Sequence, residues 1–360
     1  MINSPIRFNR PIPLLGLRSR LLYCQRLYFK LTSSLLISSL LTSALLTSVL
    51  LISPPALAID PPSLTLVRAL QINYESKTQP SGLTFCRGKL LTVSDKHDSV
   101  IFEIKLKSKT AQLIPYIELN AIPNAPNNGL STSVKARQAL DEQVFGRKHD
   151  WEGISCDAEN NLYLLSEAHV AVAKINAKNQ LSWLSIDFHT PGSAESLFTV
   201  YNGYLEGITW THDNRFVVAA ERQERGLMSV HKKNSQWKVD QTTAIPSSTL
   251  EIAQQRSKDF AGIDFEKNWL FTLERNLFAI CRRSLKDFSE QFCWSYKDSE
   301  LDNQYRYLDA EFGTAEGIAH DKGYIYVILD NNEKLRASNH TDAPLLFIFK
   351  KPNNWLHPRL

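Results

Sequence analysis

The chain has 360 residues, 43% of them hydrophobic and 22% charged, with 41 Lys and Arg against 37 Asp and Glu. A chain this long buries enough core to be stable without cysteine staples. Its small positive balance sits in the first 58 residues, which carry Arg7, Arg10, Arg18, Arg20, Arg26 and Lys30 and no acid. The remainder holds 35 basic against 37 acidic residues with no basic stripe interleaved with aromatics, which excludes a nucleic-acid partner.

After the basic leader comes an uncharged stretch, residues 31–52, and then Pro54-Pro55-Ala56-Leu57-Ala58, a small-x-small cleavage signature before Ile59. Residues 1–58 read as a signal peptide, which places the protein in the periplasm or outside the cell. The apolar run is longer than an ordinary signal core, so an uncleaved N-terminal anchor is the alternative and a membrane is a partner only in that case.

From residue 80 onward one pattern recurs five times. A Gly is followed by an aliphatic residue, a turn, and an apolar run that ends in an acid. The copies start at Gly82, Gly153, Gly207, Gly262 and Gly317 and end at Asp95, Glu167, Glu221, Glu274 and Asp330, with intervals between glycines of 71, 54, 55 and 55 residues. In the third copy, Gly207-Ile208-Thr209-Trp210 reads as one strand and Thr211-His212-Asp213-Asn214 as the turn. Arg215-Phe216-Val217-Val218-Ala219-Ala220 is then the returning strand. A third apolar strand follows most copies. Repetition at this period predicts an all-β fold, a β-propeller with a blade for each copy. A β-solenoid or two-sheet sandwich is the competing architecture, and solenoid repeats are shorter. Five blades are expected, with six as the alternative. The segment Leu64-Thr65-Leu66-Val67-Arg68-Ala69-Leu70-Gln71-Ile72 supplies the outer strand of the last blade and closes the ring. Residues 59–360 then form one propeller domain, and 107–148 a loop and helix insertion. The insertion holds a turn-rich loop around Pro123 and Pro126 and a helix-prone stretch, 131–144, expected to lie over the acid-bearing rim as a lid or binding loop.

Four cysteines follow the leader. Cys281 and Cys293 flank a short excursion, and Cys86 and Cys156 occupy nearly equivalent places in neighbouring copies. Either pair could form a disulfide in an exported chain, or all four could remain thiols.

The start of the first strand and the end of the second meet at one end of an antiparallel hairpin. The residue before each Gly (Ser81, Glu152, Glu206, Ala261, Glu316) therefore shares a rim with the five closing acids. Eight carboxylates are expected to converge on the channel mouth, an arrangement that cations must neutralise. Hard oxygen donors in this number suit Ca²⁺, with Glu152, Glu167, Glu206, Glu316 and Asp330 as ligands. Lys96, Arg222 and Arg275 follow three of the closing acids. A metal beside Arg and Lys matches what a phosphate monoester requires. The catalytic set expected is Glu206 and Glu221, supplying a general base, with Arg222 and Arg275 as a clamp. Ordinary structural ion pairs are the competing reading of the same charges. His212 and His320 fall on the opposite, turn side and are expected at the surface.

Two strings carry a family resemblance. Asp150-Trp151-Glu152-Gly153-Ile154-Ser155 leads to Leu162-Tyr163-Leu164-Leu165-Ser166-Glu167, and Ala315-Glu316-Gly317-Ile318-Ala319 leads to Ile325-Tyr326-Val327-Ile328-Leu329-Asp330-Asn331-Asn332. They resemble exported bacterial propellers of the family called esterase-like activity of phytase, and are similar to the related SdiA-regulated propeller group. The resemblance spans roughly residues 78–350. It implies a propeller, export, Ca²⁺ in the channel and phosphoesterase activity, with Glu152, Glu167, Glu206, Glu221, Glu316 and Asp330 at the matching rim positions. Copies one and four depart from it, with Ser81 and Ala261 where Glu would stand. The expected function is a Ca²⁺-dependent phosphoesterase acting on a small phosphorylated substrate as a monomer. The alternative is a non-catalytic, calcium-stabilised propeller that binds a ligand or cell-surface partner.

Overall fold

The computed structural model describes residues 60–360 except 75–77, 121, 127–129, 131, 146–148, 200–202, 223, 251–256, 311 and 358–360. The signal-peptide expectation lies outside the described residues.

Each copy folds into a four-stranded antiparallel unit that begins at its Gly-bearing strand. After β1 (Leu66–Asn73), copy one comprises β2 (Pro80–Cys86), β3 (Lys89–Ser94), β4 (Val100–Leu106) and β5 (Thr110–Glu118). Copy two is β6 (Trp151–Cys156), β7 (Leu162–Ser166), β8 (Ala171–Ile175) and β9 (Leu181–Trp183). Copy three is β10 (Leu205–Trp210), β11 (Arg215–Ala220), β12 (Gly226–Lys233) and β13 (Gln236–Ala244). Copy four is β14 (Gly262–Glu266), β15 (Trp269–Glu274), β16 (Ala279–Ser284) and β17 (Glu290–Ser295). Copy five has β18 (Ala315–His320), β19 (Tyr324–Leu329) and β20 (Leu345–Lys350), and takes β1 as its outer strand through antiparallel pairing with β20. A short parallel pairing of β1 with β5 joins the first and last units into one eight-stranded sheet.

The innermost strands contact one another in the order β2, β6, β10, β14, β18 and back to β2. Sheets arranged radially in this way are a β-propeller, and the N-terminal strand closes it by covering the edge that β20 would otherwise expose. The repeat glycines permit this closeness. A Cβ on Gly317 would fall 2.7 Å from the carbonyl carbon of Gly82, and one on Gly82 would fall 2.9 Å from the Cα of Gly153. Gly82 also adopts a φ of 60°, a left-handed conformation that a side chain would strain.

The core lies between neighbouring blades because alternate residues of one strand face opposite ways. Phe216 and Val218 of β11 pack toward Tyr163 and Val172 of copy two. Val217 and Ala219 pack toward Ile263 and Leu270 of copy four. A strand buried on both faces reads as a continuous apolar run, which is what β7, β11 and β19 show.

The irregular stretch starts later than 107, because residues 110–118 form β5. Pro115 lies within this strand. It stands beside a register shift, where a residue without an N–H can be accommodated. Within the rest of the insertion, α1 spans Thr132–Phe145. Among the described residues α2 (His189–Ala194) and α3 (Lys297–Glu300) are short connectors. No described helix is long and apolar enough to cross a membrane. Both cysteine pairs are disulfides. Cys86–Cys156 ties the innermost strands of copies one and two, and Cys281–Cys293 ties β16 to β17.

Candidate functional site

A cavity of about 520 Å³ opens at the rim where the Gly-bearing strands begin. Asp95, Glu152, Glu167, Glu206, Glu221, Asp259, Glu316 and Asp330 all line it, with Lys96, Arg222, Arg275 and Lys334. Hairpin geometry thus gathers acids 235 positions apart in the chain into one cup. All eight residues expected to form the site stand there: Glu152, Glu167, Glu206, Glu316 and Asp330 as ligands, and Glu206, Glu221, Arg222 and Arg275 as the catalytic set, with Glu206 in both.

Two groups are packed tightly enough to share a cation. Glu167, Glu206 and Glu221 each offer an oxygen within 4.8 Å of the others, and so do Asp95, Asp150 and Glu152. Burial raises the Glu152 and Glu206 carboxyls well above the usual range, and neighbouring carboxylates push them further. Burial, with Glu221 and Asp150 nearby, pushes Glu167 up to about 8, although it accepts a 2.8 Å bond from the Tyr204 N–H. Burial and Asp95 push Asp330 up to about 7. Burial raises the Glu221 carboxyl too, against the pull of Arg275 and Arg222. One oxygen of Asp330 is buried with no hydrogen-bond partner.

Arg275 does not fit the role of a phosphate clamp. Its Nε donates to Asp259 Oδ2 at 2.8 Å and its Nη2 to Glu221 Oε1 at 2.8 Å. Its Nη1 reaches both oxygens of Glu316, at 2.6 and 2.8 Å. Three carboxylates therefore engage the guanidinium, which is turned into the ring rather than toward a ligand. Arg222 is more open, with its side chain 37% exposed and its Nε 3.0 Å from Glu221 Oε2. Lys96 pairs with Asp95 at 2.9 Å and is partly exposed.

Glu274, the closing acid of copy four, is absent from the cup. It is fully buried between Arg225 and Arg283, at 2.7 and 2.6 Å. Burial opposes its charge, but the two guanidinium groups outweigh that and lower its pKa. Arg225 comes from copy three, and its side chain stacks on Phe260, so inter-blade packing pulls Glu274 off the rim.

Asp259 was missed. It stands three residues before Gly262, as Asp150 does before Gly153. Gln79 and Thr314, at the same offset before Gly82 and Gly317, also line the cavity. That offset is a third rim position, and its recurrence was the available signal. The expected lid is not part of the wall: among the described residues, 310 and 312–314 line the cavity and nothing from 107–148 does. His320 is not at the surface either. Its side chain is 15% exposed and bridges Asp264 and, at 3.3 Å, Glu266 of copy four. His212 is on the surface, with its side chain 46% exposed.

A family model described as SdiA-regulated matches residues 138–333, which cover copies two to five and their acids. No curated protein matches the chain. Among solved structures the chain is similar to the glutaminyl cyclase of Myxococcus xanthus at 11% identity and a TM-score of 0.49, covering 81% of this chain and 100% of that one. It is also similar to a gluconolactonase of Xanthomonas campestris at 8% identity and a TM-score of 0.39, covering 81% and 95%. Virginiamycin B lyase of Staphylococcus aureus matches at 13% identity and a TM-score of 0.37, covering 80% and 75%. Each is a similarity of fold alone.

Proposed function

The chain belongs to the SdiA-regulated family, and from that premise we propose that the acidic mouth of its propeller holds a divalent cation, Ca²⁺, for the recognition of an anionic ligand. The observation that supports this reading is the gathering of eight carboxylates in one cavity, more than its two arginines and two lysines neutralise. The donors are hard oxygens, and neither acid cluster contains a His or Cys, which favours Ca²⁺ over Zn²⁺. Glu152, Glu167, Glu206 and Asp330 would hold the ion. The unpartnered, buried oxygen of Asp330 marks a donor that a cation would satisfy. A bound cation would neutralise the ring and polarise an oxygen of the ligand. Equilibrium dialysis of the metal-stripped chain against Ca²⁺ tests the reading. Saturable binding that weakens in Glu206→Ala is the expected result, and no binding in the unsubstituted chain rules it out.

A second reading, hydrolysis of a phosphate monoester, is favoured by Lys96, Arg222 and Lys334 on the same cavity wall. These cations would orient a phosphoryl group, and Glu206 or Glu221 would take a proton from water. Turnover of p-nitrophenyl phosphate that disappears in EGTA and in Glu206→Ala would support it, and calcium binding without turnover of any ester would leave the binding module. The two disulfides are consistent with an exported protein, and we place it in the periplasm or outside the cell as a monomer after loss of residues 1–58.

A further inference from the structure

We propose that a second pocket beside the cup takes a protonated primary amine, so that the ligand is a zwitterion with its anionic group at the cation of the cup and its ammonium next door. The proposal rests on the reading of the mouth as a cation site and names the chemistry of what reaches it. The pocket has a volume of about 240 Å³ and lies at the seam where the ring closes. Ile72 of β1, Leu113 of β5 and Pro344, just ahead of β20, form its apolar lining, and β1 pairs with both of the other strands. The Ile72 N–H donates to the Pro344 carbonyl at 2.9 Å, which fixes that part of the wall. The two cavities share a partition. Gln79 lines both, and the segment after β19 alternates between them: Asp330, Asn332 and Lys334 line the cup, Asn331 and Glu333 the pocket. Asn332 and Glu333 take up the left-handed backbone this turn demands, with φ of 47° and 60°. Two bonds close the turn: the Lys334 N–H donates to the Asn331 backbone carbonyl at 2.8 Å, and the Asn331 side-chain nitrogen donates to the Lys334 carbonyl at 3.0 Å.

The charges of the two cavities differ. Lys96, Arg222, Arg275 and Lys334 stand among the acids of the cup, whereas the charged groups lining the pocket, among the described residues, are Glu333 and Asp342. Asn331 adds a third acceptor. It is 3% exposed, its side-chain nitrogen is engaged by Lys334, and its side-chain oxygen has no hydrogen-bond partner among the described residues. Leaving such an oxygen unmet is costly, so the pocket calls for a donor there. A primary ammonium carries three N–H donors and no acceptor, one for each of these three groups. Tyr74 supplies an aromatic wall, which also favours a cation. Its ring is held edge-on by Phe102 and His97, at centroid distances of 5.1 and 5.8 Å. The apolar lining would cover the methylene groups that join the amine to the anion.

Calorimetric titration of the calcium-loaded chain tests this, with phosphoethanolamine as the probe and n-propyl phosphate, in which a methyl replaces the ammonium, as its comparison. Phosphoethanolamine is expected to bind at least about tenfold more tightly, the scale of one hydrogen bond to a charged group. The double substitution Glu333→Gln, Asp342→Asn is expected to remove that preference and to change n-propyl phosphate affinity by less than about twofold, the residue of two screened charges. Both side chains belong to exposed residues, so the fold is not at stake. Phosphocholine has the same charge but no N–H donor and is expected to bind more weakly than phosphoethanolamine. No binding of phosphoethanolamine, equal affinity for it and n-propyl phosphate, or a preference that survives the double substitution overturns the inference while the calcium reading stands. Phosphocholine binding as tightly as phosphoethanolamine overturns it as well. Absence of Ca²⁺ binding by the unsubstituted chain overturns the reading and this inference together.

Discussion

Arg225 and Glu274 are both fully buried and 2.7 Å apart, so removing either leaves the other charge in a dry interior with no water to solvate it. Glu274→Ala is expected to cost about 3–5 kcal/mol of stability, the range for breaking one half of a buried pair. Urea unfolding followed by tryptophan fluorescence measures this, and the loss should be the same in Ca²⁺ and in chelator because Glu274 is not in the cup. A loss that appears only with Ca²⁺ would instead tie Glu274 to the proposed cation site. At this scale the sequence showed which positions carry acids but not what each acid faces. Glu221 and Glu274 close equivalent strands, yet one reaches the cup and the other a pair of arginines. The difference lies in Arg225 and Arg283, at positions where nothing in the repeat pattern signals a partner.

The innermost strands pack so closely that the glycine at the head of each hairpin is a steric requirement. Gly317→Ala would place a methyl 2.7 Å from the backbone of Gly82, which cannot swing aside as a side chain could. A loss of about 1–3 kcal/mol is expected from such overpacking. Gly323→Ala, at a turn where an added Cβ meets nothing within 4 Å, is expected to leave the urea midpoint unchanged. Equal effects from the two substitutions would argue against the close contact. The hairpins were legible because a Gly, a turn and an apolar run are local signals of fixed spacing. The outer strand β5 was not, since Pro115 argues against a strand until the register shift beside it is known. His320 was misplaced for a related reason: it does lie on the turn side, but Asp264 and Glu266 that bury it belong to the neighbouring copy.

For the molecule as a whole, the cup is a store of electrostatic strain that protonation relieves and that the proposed cation would relieve as well. Glu167 has a folded pKa of about 8 against 4.5 for an unperturbed group, and Asp330 about 7 against 3.8. Between those values the folded state holds more protons than the unfolded one, so stability falls as pH rises. Without divalent cations, the melting temperature is therefore expected to decline from about pH 4.5 and to level off near pH 8. Saturating Ca²⁺ should flatten that decline by neutralising the same carboxylates. Calorimetric scans between pH 4.5 and 8.5, with EGTA and with Ca²⁺, check this. A stability that rises with pH in EGTA would contradict the picture of mutually repelling buried acids.

Taken alone, the amino-acid order determined the repeated hairpin, the shared rim and the positions of its carboxylates. These follow from alternation along a strand and from turn chemistry, which act over a few residues. Only the closed ring decided which acids meet an arginine. Arg275 meets Glu221 from 54 positions away and Glu316 from 41, and Arg225 meets Glu274 from 49. Pairings of that span arise when blades pack side by side, because the partner of each charge then comes from whichever blade stands next to it.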